Sequence, residues 1–210
     1  LTKDWRALEQ ITAHEGFMRY MGEEANSKFF RPLLIGKFGA LYQQVNMAWM
    51  WARIYTRTLR LGTYQGGFQA FLNDLATAIT AKGARLHLNT PITSLGDQGG
   101  KPTITANGET KIYDRVISTG SPGLMLKLAP ALKATPYGQQ MAKLQSIGAI
   151  CVVLALKQSV LTDGTYWLNL PATTPDKRTS QFPFLALVEH TNFLPKEHYG
   201  GNVLVYCGDY

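Results

Sequence analysis

Gly66 and Gly67 stand together where an apolar-periodic stretch begins, in GTYQGGFQAFLNDLATAITAKG. A glycine pair at a helix start lets backbone approach a ligand closely, because no Cβ intervenes and the helix N-terminus favours anions. The same pair serves equally well as a plain, flexible helix start. Two phosphate-binding patterns are excluded. No GK[ST] follows the pair, the spacing is not GxGxxG, and no strand leads directly into it. Arg53, Arg57 and Arg60 are spaced four and three apart, which puts them on one face of an expected helix. They form either a solvated stripe or an anion-reading edge beside Trp49, Trp51 and Tyr64. Those aromatics suit a core as readily as a ligand pocket. None of His14, His87, His190 and His198 has a His, Cys or acidic partner at metal-ligand spacing, so no metal site is expected. No GxSxG elbow is present, and no residue declares itself as a catalyst.

Composition narrows the classes. Across 210 residues, 45% are hydrophobic and 17% charged, which supports a buried core and argues against disorder. The 21 basic and 14 acidic side chains leave a net charge of +7, which favours anionic partners in general. The basic residues are scattered, so nucleic acid is not an expected partner. Cys151 and Cys207 lie in separate apolar runs and read as reduced core thiols, which points to the cytoplasm. No apolar run approaches the roughly 20 residues of a membrane span, and no signal peptide is visible. The chain begins at Leu1 without Met and stops just after the strand-like run NVLVYC, which reads as a piece of a longer protein.

The elements that must position these residues follow from periodicity. Residues 1 to about 60 read as helical, with Trp5, Leu8, Ile11 and Thr12 at helical spacing and a short helix in RPLLIGKFG. Residues 45–57 are apolar around nearly the whole circumference, as in a buried or pocket-lining helix. Phe68, Phe71, Leu72, Leu75 and Ile79 mark one face of an amphipathic helix that Gly83 stops. ARLHLN (84–89) alternates like a half-buried strand. GDQGG (96–100) and Asn107-Gly108 are hairpin turns. Val116–Ser118 reads as a short buried strand, and helices follow around 121–129 and 134–145. AICVVLALK (149–157) reads as a strand covered on both faces. A polar loop spans 170–181, and PFLALVEH and NVLVYC are further strands. The fold class is therefore α+β, a helical region with a mixed or antiparallel sheet.

The order of these features is more specific than any one of them. The Gly66-Gly67 pair, the amphipathic helix, Gly83, a strand, the Pro91-Ile92 turn and the later Asp114-Val116-Ile117-Thr119 pattern together resemble the middle of the flavin-containing amine oxidase superfamily. That superfamily includes monoamine oxidases, protoporphyrinogen oxidases and phytoene desaturases. RPLLIGKFG and ALVEHTNFLPKEHYGG look like its bacterial branch near protoporphyrinogen oxidase. The resemblance implies FAD as cofactor, with the GxGxxG unit for its pyrophosphate lying outside these residues. It implies cofactor contacts at Gly66, Gly67, Ile92 (through its backbone), Thr119 and Gly120. It implies a small-molecule substrate, apolar or partly anionic, met by Trp49, Arg53, Arg57 and Tyr64 and oxidised by hydride transfer. The domain organisation it implies is a helical part of a substrate domain (1–62), a segment returning to the FAD domain (63–120), and substrate-domain sheet and helices (121–210). Alternatives are a carotenoid desaturase, a flavoenzyme like UDP-galactopyranose mutase, or a non-catalytic binding domain on the same scaffold. Oligomeric state and membrane contact stay open, and no anchor is visible.

Overall fold

The computed structural model describes residues 2–58, 60–176 and 179–210. Leu1, Leu59 and the Lys177 and Arg178 of the polar loop lie outside the described residues. The chain forms two compact units, residues 1–59 with 147–210, and residues 60–146.

The first unit starts with helices. Residues Arg6–Gln10 make only a 3-10 turn, and α1 begins later, at Ala13–Ala25. The reason is a capping box. Thr12 Oγ1 accepts from the Glu15 amide at 3.1 Å, while Glu15 Oε2 accepts from the Thr12 amide at 2.9 Å. The bond from the Thr12 amide, with that from its hydroxyl, holds the Glu15 carboxyl below the usual carboxylate range. After a π-turn at Asn26–Phe30 come α2 (Arg31–Phe38) and α3 (Met47–Tyr55), the latter capped by Asn46. The Ala13 amide donates to the Val45 carbonyl at 2.7 Å and the Met47 amide to the Ile11 carbonyl at 2.9 Å, so α1 and α3 start side by side. Ala13, Phe17, Leu34, Ile35, Tyr42 and Ala172 form the buried core, with Phe17 stacked on Phe30 at 4.0 Å. The helix expected over 45–57 is half-buried at best. No residue of α3 is fully buried, and Ile54 and Tyr55 are exposed, because α3 packs only its first turns against this core.

The second unit opens with α4 (Gly67–Ala81), which ends before Gly83 at φ 92°. Its apolar face is largely open, with Phe68 78% exposed. Residues 84–87 form no ladder, and Asn89 turns at φ 52°, so the expected strand over 84–89 does not form. Then β1 (Ile92–Gln98), β2 (Lys101–Ala106) and β3 (Glu109–Ile112) make an antiparallel meander. Gly99 and Gly100 turn the first hairpin; Asn107 and Gly108, both at positive φ, turn the second. Lys101 Nζ meets Asp114 Oδ1 at 2.8 Å and anchors the chain leaving β3. Residues 115–119 form no ladder, and Ile117 is 90% exposed. The expected buried strand there is thus neither paired nor buried, since no described strand lies beside it. Two helices complete the unit, α5 (Pro122–Leu128) and α6 (Pro136–Ala142), capped by Ser121 and Thr135. They pack on each other, and α5 packs on β1. This packing carries the second unit to residue 146.

The chain returns to the first unit as a four-stranded antiparallel sheet: β4 (Ile150–Leu156), β5 (Trp167–Asn169), β6 (Ala186–Glu189) and β7 (Val203–Asp209). The spatial order is β4-β7-β6-β5. Ala186, Val188, Val203 and Val205 on the two central strands are buried. The strand expected to be covered on both faces, β4, is instead an edge strand paired only with β7, and Ile150, Val152 and Val153 are exposed. The cysteines are free thiols, but Cys151 is exposed and Cys207 half-buried, not core. Val152 pairs with Cys207, so Cys151 and Cys207 point to opposite faces of the sheet.

Candidate functional site

The second unit presents two open backbone segments. In the first, the Gly67 amide donates to the Tyr64 carbonyl at 2.8 Å. Gly66 sits at φ 83° and ψ 4°, the third position of a type II turn, which requires positive φ. A Cβ on Gly67 would meet nothing within 4 Å, so the turn leaves room for a group against its backbone. Tyr64 packs edge-on to Phe71 at 5.6 Å, and its hydroxyl donates to Asp74 Oδ2 at 2.5 Å. That hydrogen bond, with the negative charge of Asp74, pushes the Tyr64 phenol above its usual range.

The second open segment is Thr119–Gly120, just before the Ser121 cap, whose Oγ accepts from the Leu124 amide at 3.2 Å. A groove of about 350 Å³ lies there, lined by Ser118, Gly120, Pro122, Met125, Tyr137 and Met141. Ile92 opens β1, which packs against α5, and a bulge separates it from Ser94. Both open segments lie beside exposed apolar side chains, Phe68 and Phe71 in one case and Leu124 and Tyr137 in the other.

The candidate substrate residues are divided. Trp49, Arg53 and Arg57 belong to the first unit and Tyr64 to the second. Trp49 packs edge-on to Phe38 at 4.8 Å, and the Arg53 guanidinium lies over its ring at 5.6 Å. The three arginines do not form a helical stripe. The helix ends at Tyr55, and the Arg57 amide closes back on the Ile54 carbonyl at 3.2 Å.

One cluster escaped sequence reasoning. Glu189 is 1% exposed, and its Oε2 accepts from the Val160 and Leu161 amides at 2.9 and 2.7 Å. Asn192 Nδ2 donates to the Leu161 and Thr165 carbonyls. His190 Nε2 meets the Tyr199 hydroxyl at 2.8 Å among the rings of Tyr166, Phe193 and Tyr206. Burial pushes the His190 ring below its usual pKa. Residues 189–192 thereby fasten two loops to one end of the sheet. The signal available in the sequence was a charged residue closing an apolar strand in ALVEH. Among the described residues, no group of three His, Cys, Asp or Glu side chains is placed to hold a metal.

These features define a class, an α+β chain in which helices and a four-stranded antiparallel sheet make one unit and open glycine backbone at helix starts marks the other. The profile of the flavin containing amine oxidoreductases matches residues 2–207, and the chain belongs to that family. Its fold is also that of several solved structures. An oxidoreductase from Methanosarcina mazei shares 20% identity at a TM-score of 0.68, over 95% of this chain and 47% of its own. A protein from Pyrococcus furiosus shares 17% at 0.68, over 100% of this chain and 50% of its own. A candidate protoporphyrinogen oxidase from an Exiguobacterium species shares 13% at 0.68, over 95% and 46%. The chain thus spans about half the length of these structures. None of the curated proteins matches it significantly.

Proposed function

We propose that this chain is the substrate-domain portion, with part of the cofactor domain, of an FAD-dependent oxidoreductase akin to protoporphyrinogen and amine oxidases. The observation that carries the reading is the family match along residues 2–207, supported by the open turn at Gly66-Gly67. FAD, when bound, supplies a hydride acceptor for an apolar or partly anionic small molecule. Gly66, Gly67, Thr119 and Gly120 would offer backbone to it, and Ile92 would contribute a main-chain contact. These residues would meet one edge of the cofactor, and none of them forms a GxGxxG for its pyrophosphate. Trp49 gives an apolar wall, and Arg53 and Arg57 offer guanidinium groups for a substrate carboxylate. We place the protein in the cytoplasm, in keeping with its two free thiols. Among the described residues no helix is long and apolar enough to cross a membrane.

The test uses the protein purified from its complete reading frame. Flavin absorption is followed without oxygen while a protoporphyrinogen, an amine, a carotenoid precursor and a UDP-sugar are added in turn. Bleaching of the flavin by the protoporphyrinogen or the amine supports the oxidase reading and names the substrate class, whereas bleaching by the carotenoid precursor alone makes the protein a desaturase. Turnover of the UDP-sugar without net oxidation places the protein with the mutases. A protein that takes up no flavin is a binding domain, and the proposal fails.

A further inference from the structure

We propose that Tyr64 and Asp74 form a positioning pair that holds the Gly66-Gly67 turn in the conformation the cofactor meets. The inference rests on the reading under Proposed function, and it gives Tyr64 a task other than substrate contact.

The physical problem is the turn itself. Gly66 and Gly67 both sit at positive φ, at 83° and 80°. Two adjacent glycines have the widest conformational freedom of any pair, and ordering them costs the most backbone entropy. A helix start is usually fixed by a side chain at the cap, yet Gly66 is the cap here and has none. One backbone bond, Gly67 amide to Tyr64 carbonyl, closes the turn.

The second tie comes from the side chain of the residue that opens the turn. Phe71 and Asp74 are three apart on α4 and therefore share a face. Tyr64 lies along that face, its ring against Phe71 and its hydroxyl on Asp74 at 2.5 Å. The tether thus runs from the first residue of the turn to the second turn of the helix and spans both glycines. A bond to an ionised acceptor is stronger than one between neutral groups. The phenol keeps its proton through neutral pH, so the donor is always available. Tyr64 is 42% exposed, so its hydroxyl is not needed to fill a core.

The experiment compares the complete protein with Tyr64→Phe and Asp74→Asn, each stripped of flavin and titrated with FAD. Tyr64→Phe keeps the ring on Phe71 and removes only the hydroxyl. We expect its FAD dissociation constant to rise by up to about tenfold, the ceiling set by one charge-assisted hydrogen bond that pre-organises the turn. Its bound-flavin absorption band should shift, and the Gly66 and Gly67 amides should exchange faster in the flavin-free form, with thermal stability near wild type. Asp74→Asn retains an acceptor of the same shape and should fall between. Wild-type affinity and spectrum in Tyr64→Phe overturn the pair while leaving the flavoenzyme reading intact. A wild-type protein that takes up no FAD overturns both.

Discussion

The two units carry similar hydrophobic patterns and treat them differently. In the first, Phe17, Leu34 and Ile35 on the helices, and Val205 in the sheet, are at most 2% exposed. In the second, the equally regular face of α4 stays open, with Phe71, Leu72 and Leu75 at 43, 52 and 45%. Periodicity reports which face a segment is built to bury; it does not report what covers that face. The described residues of the second unit do not supply the cover, and the same holds for the unladdered segments at 84–87 and 115–119.

The largest test of this contrast is a matched pair of truncations. Phe17→Ala removes a ring stacked on Phe30 inside the core and should cost about 3–5 kcal/mol in urea unfolding. Phe71→Ala removes a half-exposed ring and should cost about 1 kcal/mol. Equal costs would show that the open face of α4 is covered in solution, and the contrast would break.

Second is the buried carboxylate. Glu189→Ala orphans the two amides of Val160 and Leu161 and should cost about 3 kcal/mol, while Glu189→Gln keeps an acceptor and should cost less. No polar group in the second unit has a comparable burial and load. If alanine and glutamine variants unfold at the same urea concentration, the clamp on residues 158–165 is not what Glu189 provides.

Third is a glycine comparison within the second unit. A Cβ on Gly138 would lie 1.8 Å from the Leu132 carbonyl oxygen, so Gly138→Ala forces the backbone apart, at about 2–3 kcal/mol. Gly67→Ala meets no atom and bears only the left-handed conformation, at about 1–2 kcal/mol. The reverse order would mean that the turn at Gly66-Gly67 is more crowded than its open geometry implies.

How much of this was legible in the sequence depended on range. Local chemistry was read well. Gly83 stops α4, Asn107-Gly108 turns a hairpin, and helices fall within the stretches expected around 121–129 and 134–145. What failed was pairing and cover, which are long-range. The run AICVVLALK reads as a doubly covered strand, yet β4 lies at the sheet edge because its neighbour on one side is absent among the described residues. The arginine stripe failed at a helix end. Thr56 closes α3 with its hydroxyl on the Ala52 carbonyl at 2.7 Å, and nothing in the spacing of Arg53, Arg57 and Arg60 announces that. The turn at Tyr64–Gly67 was visible as a glycine pair, but its tether to Asp74 joins residues ten apart and appears only once α4 has formed.

The smallest expected effect is a pH dependence that belongs to the first unit alone. His190 is half-buried among four aromatic rings, its Nε2 on the Tyr199 hydroxyl, with no hydrogen-bond partner for Nδ1 among the described residues. A cationic ring would need an acceptor at both nitrogens, and desolvation accordingly holds its pKa below the ordinary 6.5. The unfolded chain then binds this proton at a higher pH than the folded chain. Stability from this residue is complete above about pH 6.5 and is lost as pH falls from there through the folded-state value. Urea unfolding at pH 7.5 and again near pH 5 should show the loss in wild type and not in His190→Gln, while probes on the second unit show the same pH response in both proteins. A pH response unchanged by the substitution would assign the titration to another group and leave the cluster around His190 as packing alone.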